Sequence, residues 1–150
     1  MSPASSWCRL GWTEDRLYAV LANRRWARAV AAGEDADVAM DRLTDTEWLE
    51  ALQAHPRIGE QGGHAPASSV REQARVMQAS RETKAALAAD NRAYEERFGH
   101  VFLIYALDRS GDEILAELRR RMSNDPAAEL VEAKRELRKI TRMRLGRIPR

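Results

Sequence analysis

Apolar residues return at three- and four-residue spacing in one segment of this chain after another, and alanine, leucine, glutamate and arginine, all strong helix formers, dominate the sequence. No other feature constrains the fold as much. A stripe repeating about every 3.6 residues buries one face of a helix, whereas a strand needs side chains that alternate. The reading is an all-α fold, a single-domain helical bundle over residues 1–150. With 150 residues, 44% hydrophobic and 32% charged, the chain is long enough to bury roughly two-thirds of its unfolded surface.

The period and its breakers outline the elements. A first helix is predicted from Thr13 to Ala32 with Leu17, Val20, Leu21 and Trp26 inward, followed by the loop "AGEDAD" at 32–37. Thr44 and Glu47 stand at capping-box spacing in "TDTEWLEALQA", so a short helix runs to the residue before Pro56. Residues 61–68 are a Gly/Pro/Ser/Ala loop without period. "SSVREQA" opens a helix that continues, with a break near Asp90, to Phe98 and Gly99. "DRSG" makes a turn, Gly111–Met122 reads as helix, "SNDP" breaks it, and Pro126 starts a last helix toward Gly146. The sequence contains no internal repeat and no low-complexity segment.

One stretch departs from the period. "VFLIYAL", 101–107, has the β-branched and aromatic content of a strand, yet the sequence offers no second strand to pair with it. A lone extended segment leaves peptide groups that must find partners among side chains, water or a ligand, which makes it a candidate floor for a polar site. The alternative is a buried piece whose bonds are met locally. As the longest apolar run it falls far short of the roughly 20 residues that cross a bilayer, and the N-terminus lacks a charged-then-apolar signal pattern. Cys8 is the only cysteine, which leaves no internal disulfide and no cysteine-rich metal site. These features lead to the expectation of a cytoplasmic protein without a membrane partner. A formal charge of +2 permits an anionic ligand and does not by itself call for nucleic acid.

Three polar residues depart from the helical pattern. His55 comes seven residues after Trp48 and three after Leu52, so it shares their inward face at a helix end. It is either a hydrogen-bonded core histidine or a general acid/base, for which an imidazole that titrates near neutrality on backbone stiffened by Pro56 is well suited. Glu72, three residues after Ser69, completes the capping-box pattern "SVRE"; its carboxylate either caps the helix or orients His55 across the short loop between them. The inward stripe of the last helix reads Leu137, Ile140, Arg144, Ile148, so an arginine takes a core slot. Its partner is a core carboxylate, the solvent reached by snorkelling, or an anionic ligand gripped through two parallel hydrogen bonds. Arg142 lies about 200° round the helix from Arg144 and faces elsewhere. The remaining arginines, "RRR" at 119–121 included, read as a solvated helix face.

Taken in order, "HPRIGE", "SVREQA", "NRAYEERFGHVFLIYALDRSG", "NDPAAEL" and "ELRKITRMRL" resemble the 2-oxo-4-hydroxy-4-carboxy-5-ureidoimidazoline (OHCU) decarboxylases, which form (S)-allantoin in urate degradation. The resemblance covers nearly the whole chain. It implies an all-α, usually homodimeric decarboxylase that uses no cofactor and no metal, acting on a small ureide. Its catalytic histidine, glutamate and arginine fall on His55, Glu72 and Arg144. The resemblance further implies that Pro56, Ser69 and Gln73 shape the pocket and that the "HVFLI" backbone, at Phe102 and Ile104, bonds the ligand.

Two other classes stand beside it. A metal site from His55, Glu60, His64 and His100 matches no recognised ligand spacing. A helical module that uses the basic C-terminal face to bind nucleic acid or another protein lacks the clustered basic residues and exposed aromatics of nucleic-acid-binding surfaces.

Overall fold

The computed structural model describes residues 11–58 and 74–148. Among them are eight α-helices and no strand: α1 (Glu14–Val20), α2 (Arg24–Ala31), α3 (Ala36–Asp41), α4 (Asp45–Gln53), α5 (Ala74–Met77), α6 (Arg81–Phe98), α7 (Gly111–Arg121) and α8 (Pro126–Arg147). The all-α expectation holds. The chain falls into two compact units, one formed by the residues up to Ala54 with those from Arg138 onward, the other by His55–Leu137.

In the first unit, the long helix expected from Thr13 to Ala32 is two helices. Asn23 divides them. Its side chain accepts a hydrogen bond from the Trp26 N–H at 2.8 Å, and both Leu21 and Asn23 have extended backbone, so α1 ends where α2 is capped. The side-chain amide of Asn23 also donates to Glu47 at 2.8 Å, which ties this corner to the start of α4. The loop after α2 is shorter than expected, because Asp35 caps α3 by accepting from the Val38 N–H at 3.1 Å. At α4 the predicted capping box is present in both directions, Thr44 to the Glu47 N–H and Glu47 to the Thr44 N–H. Leu17, Leu21, Trp26, Met40, Trp48 and Leu52 are buried in this unit.

In the second unit, the helix expected from the "SSVREQA" motif to Phe98 is interrupted, and not near Asp90. Ser80 caps α6 through the Thr83 N–H at 3.1 Å, and α6 then runs unbroken over 18 residues past Asp90. It stops at Gly99, whose φ of 78° is a left-handed conformation that glycine adopts without a Cβ clash. The core joins Ile58, Val76, Leu87, Tyr94, Phe102, Ile104, Ala106, Ile114 and Leu118. Residues 101–106 cross it without helix, turn or strand pairing. Near the start of α7, a Cβ at Gly111 would stand 2.6 Å from the Cβ of Ala79, so only glycine allows the approach. In α8, Asp125 takes the Ala128 N–H at 2.8 Å, and Pro126 fills the first turn as predicted.

Candidate active site

The helix carrying "EALQ" ends at Gln53 with Ala54 as its cap, and His55 follows in the turn, half-buried. What comes next holds that turn in place. Arg57 pairs with Glu95 on α6 through Nε at 2.6 Å and Nη2 at 3.1 Å. The carbonyl of Ile58 accepts from the Asn91 side chain at 3.1 Å, and Ile58 itself is 4% exposed. His55 and the half-buried Pro56 therefore precede a backbone pinned to α6 by an ion pair and a buried amide. Asn91 sits between Leu87 and Tyr94 on the inward face of α6, at offsets of four and three, so it too is a polar residue in an apolar slot. Sequence reasoning passed over it, although the rule that singled out Arg144 would have found it.

Arg144 is buried, 7% exposed, on the same stripe as Leu137 and Ile140. Its Nη1 donates to the Val20 carbonyl at 3.4 Å. That carbonyl belongs to the last turn of α1, where helical partners run out and a cation complements the helix dipole. Arg142 points elsewhere: it is exposed and grips both oxygens of Asp37 through Nε at 3.0 and 3.1 Å. Arg138 joins it on Asp37 at 3.1 Å and reaches Asp41 at 2.7 Å. Burial works against ionisation of Asp37, but the hydrogen bonds from Arg142 and Arg138 outweigh it and hold the carboxyl below the usual carboxylate range. The division between the two arginines is the one the helical angle required.

Glu72, Ser69 and Gln73 lie outside the described residues, as do Glu60 and His64 of the alternative metal site. His100, the remaining histidine of that set, is 6% exposed and meets the Tyr94 ring edge-on at 5.5 Å between centroids. Phe102 and Ile104 bury their side chains in the core of the second unit, so any ligand contact of theirs is made by backbone.

One arginine overturns the sequence reading. Arg119 and Arg120 are exposed, with Arg119 paired to Asp90 and Arg120 to Glu117 and Glu132, but Arg121 is 1% exposed. Its Nε donates to both oxygens of Glu129, at 3.1 and 2.9 Å, and Glu129 is fully buried. The Tyr94 hydroxyl and the Asn124 amide also donate to Glu129. Burial, with the bond to Glu129 added, pushes the Tyr94 phenol up from its ordinary value. The cause of the misreading is positional: Arg121 follows Ile114 and Leu118 at offsets of seven and three, on the inward stripe of α7. With Arg121 inside and its neighbours paired to carboxylates, "RRR" is no free basic face.

Arg121 also donates through Nη1 to the Leu103 carbonyl at 2.8 Å, and the Tyr105 N–H donates to Glu136 at 3.0 Å. The unpaired apolar segment thus has peptide groups met by side chains, one of the outcomes open to a lone strand. A separate cavity of about 310 Å³ is lined by Arg57, Ile58, Lys84, Ala88, Asn91, Arg92 and Glu95, with no expected catalytic residue among them. Among the described residues no helix is long and apolar enough to cross a membrane.

Comparison with known proteins fits these motifs. The family model described as OHCU decarboxylase matches residues 11–146. The uric acid degradation bifunctional protein TTL of Arabidopsis thaliana is 35% identical over 75% of this chain and 36% of its own length. The 2-oxo-4-hydroxy-4-carboxy-5-ureidoimidazoline decarboxylase of Amia calva is 44% identical over 37% of this chain and 31% of its own. The chain thus aligns with about a third of each of these relatives. A crystal structure of OHCU decarboxylase in the presence of (S)-allantoin superposes with a TM-score of 0.74 at 28% identity, covering 88% of this chain and 95% of that one. A crystal structure of (S)-allantoin synthase shares the fold, with a TM-score of 0.66 at 19% identity over 88% of this chain and 48% of that one. Ordered motifs, an all-α fold and a family match running almost from end to end agree: this chain belongs to the OHCU decarboxylase family.

Proposed function

We propose that this protein decarboxylates 2-oxo-4-hydroxy-4-carboxy-5-ureidoimidazoline to (S)-allantoin, with His55 as general acid/base, Glu72 orienting it and Arg144 holding the substrate anion. The observation that carries the reading is the family match over residues 11–146, which takes in all three motif residues. The burial of Arg144 supports it, because a guanidinium on an apolar stripe suits a carboxylate or carbonyl oxygen of a ligand.

The substrate's chemistry sets the task. Breaking the bond between ring carbon and carboxylate releases carbon dioxide and leaves an electron pair that the conjugated ring absorbs, so the protein has to orient the carboxylate and move protons. Arg144 grips an anionic oxygen, His55 exchanges a proton with the ring hydroxyl or ureide side, and Glu72 sets the imidazole. A proton delivered to one face of the ring gives one enantiomer. Pro56, Ser69 and Gln73 shape the pocket, and the backbone of Phe102 and Ile104 bonds the ureide. The resemblance extends the proposal to a homodimer working in the cytoplasm.

The test is to generate the unstable substrate from urate in situ and follow the circular dichroism of allantoin. Rapid appearance of the (S) form only when the protein is present is the expected result; racemic allantoin at the uncatalysed rate contradicts the proposal.

A further inference from the structure

We infer that Arg121, Glu129 and Glu136 are positioning residues that fix the direction of the Ile104 peptide groups for hydrogen bonding to a ureide, an inference that rests on the decarboxylase reading above.

The Leu103 carbonyl accepts from Arg121 at 2.8 Å, and the Tyr105 N–H donates to Glu136 at 3.0 Å. No peptide among the described residues is cis, and in a trans peptide the C=O and N–H point in opposite directions. The N–H of Ile104, which shares its peptide with the Leu103 carbonyl, is therefore turned away from Arg121. The carbonyl of Ile104, which shares its peptide with the Tyr105 N–H, is turned away from Glu136. Two successive peptides are each held by one end, and both other ends belong to Ile104. None of the backbone bonds formed among the described residues takes up either group. One donor and one acceptor on a single residue match the N–H and C=O of an amide or ureide, as one strand matches another.

The far side of the clamp is unusually firm. Arg121 is anchored on both oxygens of Glu129 and its guanidinium lies 4.7 Å from the Phe102 ring centroid. Stability alone does not call for this arrangement, because well-packed apolar residues in place of a buried ion pair are often as stable or more so. An apolar side chain could not hold the Leu103 carbonyl. That carbonyl lies in a segment with no ladder of its own, so beyond the burial of Phe102 and Ile104 it is Arg121 and Glu136 that set which way its peptides face.

Glu136 gives the cleaner test, since glutamine can still accept from the Tyr105 N–H and leucine cannot. Full-length wild type, Glu136→Gln and Glu136→Leu are compared in steady-state turnover of the in situ substrate. Loss of an aimed hydrogen bond predicts that KM rises about tenfold in Glu136→Leu, with kcat changed far less, while Glu136→Gln stays near wild type. A purely structural role predicts lower melting temperature without the rise in KM, and that result overturns the inference. Amide exchange in the wild type needs no variant and covers the case in which Glu136→Leu does not fold. Saturating (S)-allantoin is expected to slow exchange of the Ile104 N–H while the Tyr105 N–H stays protected with or without it; an Ile104 amide indifferent to the ureide also overturns the inference. Wild-type protein that makes no (S)-allantoin removes the decarboxylase reading and this inference together, whereas an active wild type with an unchanged KM in a folded Glu136→Leu removes this inference alone.

Discussion

The Arg121 guanidinium and the Glu129 carboxylate pair inside the second unit with 1% and 0% of their surfaces exposed, in a stretch that reads as a solvated arginine run. Burial acts to lower the pKa of Arg121, and the bonds to Glu129 more than reverse it, so the guanidinium stays charged. Removing one partner of such a pair strands the other charge, at a cost of roughly 3–5 kcal/mol. Glu129→Ala should lose about that much in urea unfolding. The double replacement Arg121→Met with Glu129→Leu should recover only part of it: no charge is then left unpaired, but the Tyr94 hydroxyl and the Leu103 carbonyl lose their partners. A Glu129→Ala protein within about 1 kcal/mol of wild type would show that the pair is not the element it is taken to be.

Glu47 predicts a pH dependence. The Arg25 guanidinium, followed by the Thr44 N–H and the Asn23 amide, lowers its carboxyl from 4.5 to about 2. A carboxyl depressed in the folded state contributes its stability in full above the unfolded value near 4.5 and loses it as pH falls toward about 2. Arg25 is largely exposed, so the contribution is on the order of 1 kcal/mol after solvent screening. Urea unfolding of wild type and Glu47→Gln should therefore differ at about pH 6 and converge by about pH 2. A difference that persists unchanged into acid would rule out the ion pair as its source.

Gly111→Ala sets two effects against each other. Alanine favours a helix over glycine by about 1 kcal/mol, but the added methyl would stand 2.6 Å from the Ala79 Cβ and 3.2 Å from the Thr83 Cγ2. The Ala79 methyl has no rotamer to escape into, so the overlap wins and the net loss is roughly 1–3 kcal/mol. Gly146→Ala, at an exposed position with nothing within 4 Å of the new Cβ, is the control and should be neutral or slightly stabilising. Thermal melts of the two variants decide it: equal midpoints would mean that the approach of α7 to Ala79 is looser than the distances say.

Helical period named the α class, and the Thr44–Glu47 capping box and Pro126 marked two helix starts, because those signals are local and repeat in the backbone. The caps Asn23 and Ser80 are hidden because each lies inside a stretch whose apolar spacing continues across the break, and spacing says nothing of the one residue whose side chain replaces a helical bond. A polar residue in an apolar slot marks Arg144 for burial, and it is buried; Arg121 and Asn91 occupy the same kind of slot, with Arg121 masked by the two exposed arginines that precede it. The partners that pin the His55 turn, Glu95 and Asn91, lie more than thirty positions further along the chain, and no local pattern pairs them.

Arg144→Lys separates charge from geometry. Lysine keeps the cation and loses the planar fork, so kcat/KM should fall roughly a hundredfold while the fold persists. Circular dichroism confirms the helices and allantoin formation gives the rate. Turnover near wild type would assign Arg144 to structure, through its bond to the Val20 carbonyl, and not to the substrate.

The most direct test of the central claim is the rate of (S)-allantoin formation by His55→Ala, with the substrate supplied in situ from urate. Loss of the imidazole should bring the rate down by at least about a hundredfold, the ordinary contribution of a general acid/base, in a protein whose melting temperature is little changed because the half-buried His55 lies beyond the end of α4. A folded His55→Ala that makes (S)-allantoin as fast as wild type would contradict the account.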